Sequence, residues 1–219
     1  MSMLSAAQRL PVLYPILDAE LVFRSHPNEN RWALLRRLLR ELAAAGVEML
    51  QYRNKRDEDL IVTQDALAMR EAAPFIRLIL NDRPELVLPV GWNGVHVGQD
   101  DMPAAAARSL VGRRAIVGLS THYDEQVIAA DAQPVDYIAV GPVFATASKF
   151  DTSPVIGVEG VMRARSLTSK PLVAIGGITT ENAASIYDAG ADSIAVISAI
   201  FGPGKHPVQS VGDFLQIFK

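Results

Sequence analysis

A short stretch of the sequence alternates polar and cationic side chains. In QYRNK (51–55), Gln51, Arg53 and Lys55 stand at every second position at the end of an apolar run. In an extended chain such residues point to the same side, and two cations on the inward side of a strand end require an anion. Turn formation explains glycine, aspartate or asparagine at strand ends, but it does not explain this set. The pattern therefore favours an anion-binding site.

Two aspartates offer oxygen ligands close to that set. Asp82 follows one apolar run, and Asp101 lies just past the next. Hard oxygen ligands indicate Mg²⁺, which usually takes one or two carboxylates and completes its shell with water and phosphate oxygens. The structural alternative is that Asp82 pairs with Arg83 or caps a helix that begins near Pro84. For the aspartates alone, the Mg²⁺ site and the structural alternative are equally well supported. The neighbouring cations favour a site for a metal and a diphosphate.

Two further segments could bind phosphate. AIGGIT (174–179) carries a glycine pair between an apolar run and a helix-like segment, and AVISAI (195–200) ends the last run. The loops after strands seven and eight of a barrel often bind phosphate through backbone N–H groups. GPVFATASK (141–149) offers hydroxyls beside a lysine, which indicates either a second anion-binding loop or an ordinary exposed loop. Residues 145–157 lack a periodic pattern, which would suit a mobile flap over the site.

Short apolar runs alternate with helix-like segments along the chain. The runs are VLYPIL (12–17), VEMLQY (47–52), IRLIL (76–80), GVHV (94–97), AIVGL (115–119), DYIAVG (136–141), PLVAIG (171–176) and SIAVIS (193–198). Runs without strict alternation are typical of strands buried on both faces of a parallel sheet, and intervening helices indicate βαβ units. Eight such units predict an α/β fold, a single-domain (β/α)8 TIM barrel over residues 1–219, with a doubly wound open sheet as the alternative.

The predicted barrel would bring the polar residues together, because they lie at or just past the ends of the runs and all such ends meet on one face. Helical spacing of apolar residues is found in Trp32 to Ala45, Leu60 to Ala73, Ala183 to Ala189 and Val208 to Phe218. The polar segment Ala19 to Asn30 predicts an extended loop after the first strand. His96 is expected to be a packed barrel histidine, whereas His122 could be an acid, a base or a helix-start residue.

The bulk composition excludes several classes of protein. Of 219 residues, 49% are hydrophobic and 21% are charged, as in a folded protein. A net charge of −3 gives no reason to expect nucleic acid or an anionic membrane as a partner. Without cysteine there are no disulfides, zinc–thiolate sites or thiol nucleophiles. The beginning of the chain lacks a secretory pattern, and no apolar run could span a bilayer. We therefore expect a cytoplasmic protein, and whether it forms a homo-oligomer stays open.

Seven motifs, taken together, resemble those of the thiamine phosphate synthase family, and they occur in the family's order. They are QYRNK (51–55), NDR (81–83), GVHVGQDD (94–101), GLSTH (118–122), GPVFATASK (141–149), AIGGITTEN (174–182) and AGADSIAVISAI (189–200). The resemblance covers nearly the whole chain. It implies a Mg²⁺-dependent transferase that joins 4-amino-2-methyl-5-(diphosphooxymethyl)pyrimidine to a thiazole phosphate, giving thiamine phosphate and diphosphate.

The resemblance also implies roles for the matching positions. The implied metal ligands are Asp82 and Asp101, with Asp101 rather than Asp100 in the family's acidic position after GQ. The implied catalytic residues are Arg53, Lys55, Ser120 and Lys149. The implied pyrimidine and diphosphate contacts are Gln51, Tyr52, Arg53, Asn54, Lys55, Asn81, Ser120 and Lys149. The implied thiazole phosphate contacts are Thr146, Ser148, Gly177, Ile197 and Ser198.

Two rival functions stay open at this point. The thiazole tautomerases of the same superfamily resemble this chain at the SxH and GG motifs, but they tend to lack the aspartate pair. A non-catalytic regulatory barrel would not need the cationic set to be intact. The chain also departs from the family pattern, since Ser148 replaces a usual threonine, Ala145 replaces a usual proline and the first loop is long. None of these departures removes a charged ligand.

Overall fold

Eight parallel strands close into a barrel in the order of the sequence. The structure is a computed structural model, and it describes residues 9–146 and 154–218. The strands are β1 (Leu13–Asp18), β2 (Met49–Arg53), β3 (Arg77–Asn81), β4 (Gly94–Val97), β5 (Ile116–Thr121), β6 (Tyr137–Val140), β7 (Leu172–Ile175) and β8 (Ser193–Val196). Each strand pairs in parallel with its neighbours, and β8 returns to β1. The predicted (β/α)8 barrel is confirmed, and the open-sheet alternative is wrong.

Helices follow the strands and cover the outside of the barrel. They are α1 (Ala19–Ser25), α2 (Arg31–Ala44), α3 (Asp59–Ala72), α4 (Pro84–Val87), α5 (Ala104–Val111), α6 (Asp124–Asp131), α7 (Gly157–Leu167), α8 (Ala183–Asp188), α9 (Ser198–Phe201) and α10 (Pro207–Ile217). The four helices predicted from apolar spacing correspond to α2, α3, α8 and α10, and each observed boundary lies within one residue of its prediction. In the described part of the chain, no helix combines the length and apolarity that a membrane span needs.

The prediction of an extended loop over Ala19 to Asn30 is wrong for its first half. Residues 19–25 form α1, and only residues 26–30 connect it to α2. The carboxylate of Asp18 caps α1 by accepting a hydrogen bond from the Leu21 N–H. The helix buries Ala19 and Val22, three residues apart on one face. Two turns with only two buried positions are too short for helical periodicity to stand out in the sequence.

Alternation along the strands separates two hydrophobic cores. The larger lies between the strands and the helices. The smaller fills the barrel interior and contains Tyr14, Ile16, Met49, Ile79, Tyr137, Ala139, Val173, Ala195 and Ile197. Interior side chains of this kind make the barrel a packed core rather than a pore. A methyl group on Gly118 would lie 2.1 Å from the Tyr137 ring, so the glycine leaves the space that this ring occupies.

A buried ion pair joins the first two long helices to β2. Arg31, the first residue of α2, donates to both carboxylate oxygens of Asp65 on α3 and also to Asp57 in the loop after β2. Asp65 has no exposed surface. The Tyr52 hydroxyl donates to Asp65 over 2.5 Å, and the Arg31 guanidinium lies 4.1 Å from the centre of the Phe23 ring. One arginine therefore anchors α1, α2, α3 and the segment that carries Lys55.

We expect Arg31→Met to destabilise the protein by about 3–5 kcal/mol, because it leaves the carboxylate of Asp65 buried without its cation. Arg37→Met is the matched control. Arg37 is also on α2, but it pairs with Glu29 on the surface, so its replacement should cost less than about 1 kcal/mol. Urea unfolding followed by circular dichroism measures both values. Equal destabilisation by the two substitutions would contradict the anchoring role of Arg31.

Candidate active site

The three alternating residues of QYRNK lie at the carboxyl end of β2, as predicted. Gln51 is buried in the barrel interior, where its Nε2 donates to the Tyr14 hydroxyl over 3.1 Å. Arg53 forms an ion pair with Asp18 at the end of β1. The Nζ of Lys55 lies 2.9 Å from a carboxylate oxygen of Asp82 at the end of β3. The two cations therefore face the barrel mouth, where protein carboxylates balance them.

Asp18 received no role from the sequence, yet it fixes Arg53. It stands directly opposite Arg53 in the pairing of β1 with β2. One of its oxygens accepts from Arg53 and the other caps α1, so the cation is attached to a fixed point of the fold. The Nε of Arg53 is buried without a hydrogen-bond partner among the described residues. The signal in the sequence was the position of Asp18, an acidic residue at the end of an adjacent strand.

Tyr52 and Asn54 lie on the other side of β2. The Tyr52 ring belongs to the core between strands and helices, and its hydroxyl contacts Asp65 and accepts from the Asn54 side chain. Burial raises the pKa of Tyr52, and the nearby Asp65 carboxylate raises it further. Asn54 also donates to Asp57. Both side chains are engaged away from the barrel mouth, and a contact between these two residues and a substrate stays a prediction.

The carboxyl groups of Asp82 and Asp101 interact at the ends of β3 and β4. Burial raises the pKa of Asp82, and the hydrogen bond with Asp101 raises it further, while Lys55 opposes the shift. Burial also acts to raise the pKa of Asp101, but hydrogen bonds from Asp82 and the Gly98 N–H outweigh it and lower that pKa. Two carboxyl groups that lie close enough to form a hydrogen bond with each other could instead share one cation. The pair therefore has the hard-oxygen chemistry of a Mg²⁺ site.

The structural alternative for Asp82 is not observed. Arg83 forms its ion pair with Asp59 rather than with Asp82, and the residue at the cap position of α4 is Arg83. Asp82 has a φ of +63°. A left-handed backbone is uncommon for a residue other than glycine and concentrates at functional sites. This conformation holds the carboxyl group of Asp82 at the mouth of the barrel.

Asn81, like Arg53, has a buried nitrogen without a hydrogen-bond partner among the described residues. Its side chain is buried at the end of β3, and its Nδ2 has no hydrogen-bond partner in the described part of the chain. An unmade hydrogen bond of a buried amide is costly. A ligand at the barrel mouth would remove that cost, which agrees with the predicted role of Asn81 as a substrate contact.

A cavity of about 320 Å³ opens on the β5 to β8 side of the barrel mouth. Its lining includes Ser120, His122, Thr146, Gly177, Ile197 and Ser198. The cavity thus brings one of the predicted pyrimidine contacts, Ser120, together with four of the five predicted thiazole phosphate contacts. The fifth, Ser148, and the predicted diphosphate contact Lys149 lie outside the described residues, together with most of the proposed flap. Their roles stay predictions.

The glycine pair after β7 is shaped by contact with the loop after β6. Gly176 and Gly177 have φ values of +103° and +63°. The Phe144 N–H donates to the Gly176 carbonyl over 3.0 Å, and a methyl group on Gly177 would come within 2.6 Å of the Ala145 carbonyl oxygen. Only glycine allows this approach. The two loops therefore form one wall of the cavity, with the first turn of α9 next to it.

The two histidines near the site have different surroundings. His96 is buried in the barrel, where its ring nitrogens contact Tyr137 and Ser120; this is the packed barrel histidine expected from its position within a strand. His122 lies at the cavity, and its Nδ1 bonds to the Gly141 carbonyl over 2.7 Å. Because a carbonyl only accepts, Nδ1 carries the hydrogen. His122 is therefore positioned by the backbone of the loop after β6.

The site and the fold define a class of protein: a TIM-barrel enzyme that handles phosphorylated substrates at the carboxyl ends of its strands. The model of the thiamine monophosphate synthase family matches residues 13–200. The chain belongs to this family. It is an enzyme of the thiamine-phosphate synthase type, a transferase of thiamine biosynthesis, so the predicted family and enzyme class are confirmed.

Individual relatives agree with the family assignment. The thiamine-phosphate synthase of Koribacter versatilis is 46% identical over 215 residues, which cover 98% of this chain and 99% of the relative. That of Chloroflexus aurantiacus is 40% identical over 86% of this chain and 84% of its own length. Among solved structures, the thiamine phosphate pyrophosphorylase of Pyrococcus furiosus superposes with a TM-score of 0.80 at 27% identity, covering 96% of this chain and 95% of that one.

We expect Gly177→Ala to impair anion binding in the cavity, because the added methyl group must push the loop after β6 aside. Gly112→Ala is the matched control. Gly112 also has a positive φ, of +78°, but open space surrounds its Cβ position. Both substitutions should carry the backbone cost of about 1 kcal/mol, and only Gly177→Ala should weaken the binding of inorganic phosphate in calorimetric titration. Unchanged phosphate affinity in Gly177→Ala would contradict the cavity wall described above.

Proposed function

We propose that this chain joins 4-amino-2-methyl-5-(diphosphooxymethyl)pyrimidine to a thiazole phosphate, releasing diphosphate and forming thiamine phosphate. One observation carries the proposal: cations, a facing carboxyl pair and a glycine-walled cavity all lie at the same mouth of the barrel, at the carboxyl ends of its strands. This arrangement offers separate places for a diphosphate and for a monophosphate. It fits a reaction between two phosphorylated substrates better than a reaction on one.

The diphosphate half of the proposal rests on the ends of β2, β3 and β4. Arg53 and Lys55 would contact the diphosphate, and Lys149 would complete the set. Asn81 would donate through its Nδ2, which has no hydrogen-bond partner among residues 9–146 and 154–218. Asp18 would keep Arg53 in place through its ion pair. Charge-assisted hydrogen bonds to phosphate oxygens are the strong ones. They would hold the leaving group and stabilise the charge that develops on it.

The carboxyl pair fits a divalent cation, and we propose that Asp82 and Asp101 hold Mg²⁺. When bound, the ion would neutralise charge on the departing diphosphate. Lys55 now balances Asp82; with a metal ion on the carboxyl pair, the ammonium group would become available to the diphosphate. Because the pKa of Asp82 is raised, a proton would compete with the ion for this carboxyl group.

The proposed chemistry needs no nucleophilic side chain. The bond between the pyrimidine's methylene carbon and the diphosphate oxygen breaks, and its electron pair leaves with the diphosphate. The amino group on the pyrimidine ring spreads the positive charge left on carbon. The thiazole nitrogen then donates its lone pair to that carbon and forms the new bond. Holding the two substrates in contact would supply much of the remaining acceleration.

The cavity on the β5 to β8 side would hold the thiazole phosphate next to the pyrimidine. Its phosphate would meet Thr146, Ser148 and the backbone N–H groups of Gly177 and Ser198, with Ile197 against the ring. Ser120, which also lines the cavity, would contact the pyrimidine. Small-molecule substrates of this kind agree with a cytoplasmic enzyme that needs neither nucleic acid nor a membrane. Whether it acts as a homo-oligomer is a separate question.

The thiazole tautomerase alternative makes a different demand on His122. A tautomerase would need this residue as its acid and base, whereas the synthase reaction needs no proton shuttle. The facing carboxyl groups favour the synthase, because a tautomerase has no diphosphate to neutralise. A non-catalytic barrel would likewise have no use for the cations at the barrel mouth.

Purified protein mixed with both substrates and Mg²⁺ should form thiamine phosphate, detected by chromatography. We expect His122→Ala to keep much of this rate, since a histidine in proton transfer contributes about 10²–10⁴-fold and the synthase needs none. Asp101→Ala should be far more damaging. The reverse ranking, on folded variants with saturating Mg²⁺, would favour the tautomerase, and a complete lack of thiamine phosphate with the unaltered chain would refute the proposed function.

Turnover should require Mg²⁺ and stop in EDTA. Asp82→Asn should raise the Mg²⁺ concentration needed for half-maximal rate, whereas Asp100→Asn, next to the pair in the sequence, should not. Since protons compete with the ion for a carboxyl group whose pKa is raised, more Mg²⁺ should be needed as the pH falls. Full activity without metal, or equal effects of the two substitutions, would contradict the metal site.

A further inference from the structure

A line of hydrogen bonds crosses the interior of the barrel. It begins at Gln51 on β2, whose Nε2 lies 3.1 Å from the Tyr14 hydroxyl. The Tyr14 hydroxyl is 3.0 Å from that of Tyr137, which is 2.9 Å from Nδ1 of His96. The Nε2 of His96 is 2.8 Å from Oγ of Ser120. The line therefore links two predicted pyrimidine contacts, Gln51 and Ser120, through three side chains that were given no role.

Packing holds the three connecting side chains in place. Tyr14 and Tyr137 are fully buried, and their rings meet edge to face with centres 6.0 Å apart. The His96 ring stacks on Tyr137 at 5.5 Å, and Gly118 leaves the room for the Tyr137 ring. Burial raises the pKa of both tyrosines, so each keeps its hydroxyl hydrogen. Rings fixed in this way cannot turn to other partners.

The number of hydrogens available determines which group donates and which accepts in each hydrogen bond of the line. The amide N–H of Gln51 donates to Tyr14, so the Tyr14 hydrogen goes to the Tyr137 oxygen, the other hydrogen-bond partner of Tyr14 among the described residues. The hydrogen of Tyr137 then goes to Nδ1 of His96. A neutral imidazole that accepts at Nδ1 carries its hydrogen on Nε2, and Nε2 donates to Ser120. Turning over the Gln51 amide would reverse every one of these bonds, so the tautomer of His96 reports the direction.

We propose that Tyr14, Tyr137 and His96 are positioning residues that hold the Ser120 hydroxyl as a hydrogen-bond donor toward the cavity. Because Ser120 accepts from His96, its own hydrogen points to the ligand. Ser120 would then recognise an acceptor, a ring nitrogen of the pyrimidine, and not the exocyclic amino group, which is itself a donor. This assignment of the substrate atom rests on the proposed function, whereas the direction of the line does not.

The first test measures the tautomer of His96 in the unaltered protein. Nitrogen-15 NMR of histidine-labelled protein distinguishes Nε2–H from Nδ1–H, and loss of one set of signals in His96→Gln assigns the residue. We expect the Nε2–H form. Tyr137→Phe keeps the ring but removes the donor to Nδ1, so it should shift His96 toward a mixture of tautomers. Tyr187→Phe, the same change on the surface of the barrel, should leave the spectrum unaltered. The Nδ1–H form or a charged ring in the unaltered protein would overturn the proposal.

The second test uses kinetics. Tyr137→Phe should raise KM for the pyrimidine diphosphate roughly tenfold, about the loss of one hydrogen bond, with KM for the thiazole phosphate unchanged. Combining Tyr137→Phe with Ser120→Ala should be no worse than Ser120→Ala alone, because both act through one hydroxyl. His96→Gln, which can still donate to Ser120, should keep more activity than His96→Met. Additive effects, or equal changes in both KM values, would overturn the proposal.

The two tests separate the possible failures. If the unaltered protein forms no thiamine phosphate, the proposed function fails, while the NMR measurement still decides the direction of the line. If the protein forms thiamine phosphate but Tyr137→Phe changes neither the tautomer nor KM, the positioning role fails and the proposed function stands.

Discussion

Closure of the eight-stranded barrel is the constraint on which the rest of the structure depends. In a closed parallel barrel, alternate residues of a strand point into the interior or out toward the helices. β2 illustrates the result. Gln51 faces inward to Tyr14, and Arg53 reaches Asp18 at the mouth, whereas Tyr52 contacts Asp65 in the outer layer. One side of β2 therefore contributes side chains to the candidate site, and its other side contacts the residues that attach α2 and α3.

Charge balance is the second constraint, and it acts both in the outer layer between strands and helices and at the barrel mouth. In the outer layer, the buried carboxylate of Asp65 is compatible with folding because Arg31 donates two hydrogen bonds to it. At the mouth, Asp18 and Asp82 balance Arg53 and Lys55. The two places differ, because Arg31 satisfies the buried carboxylate of Asp65, whereas at the mouth the carboxyl groups of Asp82 and Asp101 lie within hydrogen-bond distance of each other. Two carboxyl groups in this arrangement could hold a divalent cation, which would leave Lys55 available to a phosphate.

The polar groups inside the barrel form hydrogen bonds with one another. A small parallel barrel needs large side chains to fill its interior, and two tyrosines and a histidine do so here. Each brings a polar atom that must be satisfied. These atoms form hydrogen bonds with one another in a single line from Gln51 to Ser120. The side chains that fill the barrel interior therefore also orient the Gln51 and Ser120 side chains. The strands that build the barrel thus also determine the surroundings of the reacting groups.

The sequence by itself determined the eight strands, the main helices and the family, because apolar runs and strand-end motifs are local signals. It also predicted site residues at the strand ends, which the closed barrel brings to one mouth. It missed α1, whose two turns bury too few residues for periodicity to show. It assigned no role to Asp18, Tyr14 or Tyr137. Only the tertiary structure decided these points. Partners such as Asp18 and Arg53, or Tyr14 and Tyr137, lie far apart in the chain and meet through barrel closure, which no local pattern records.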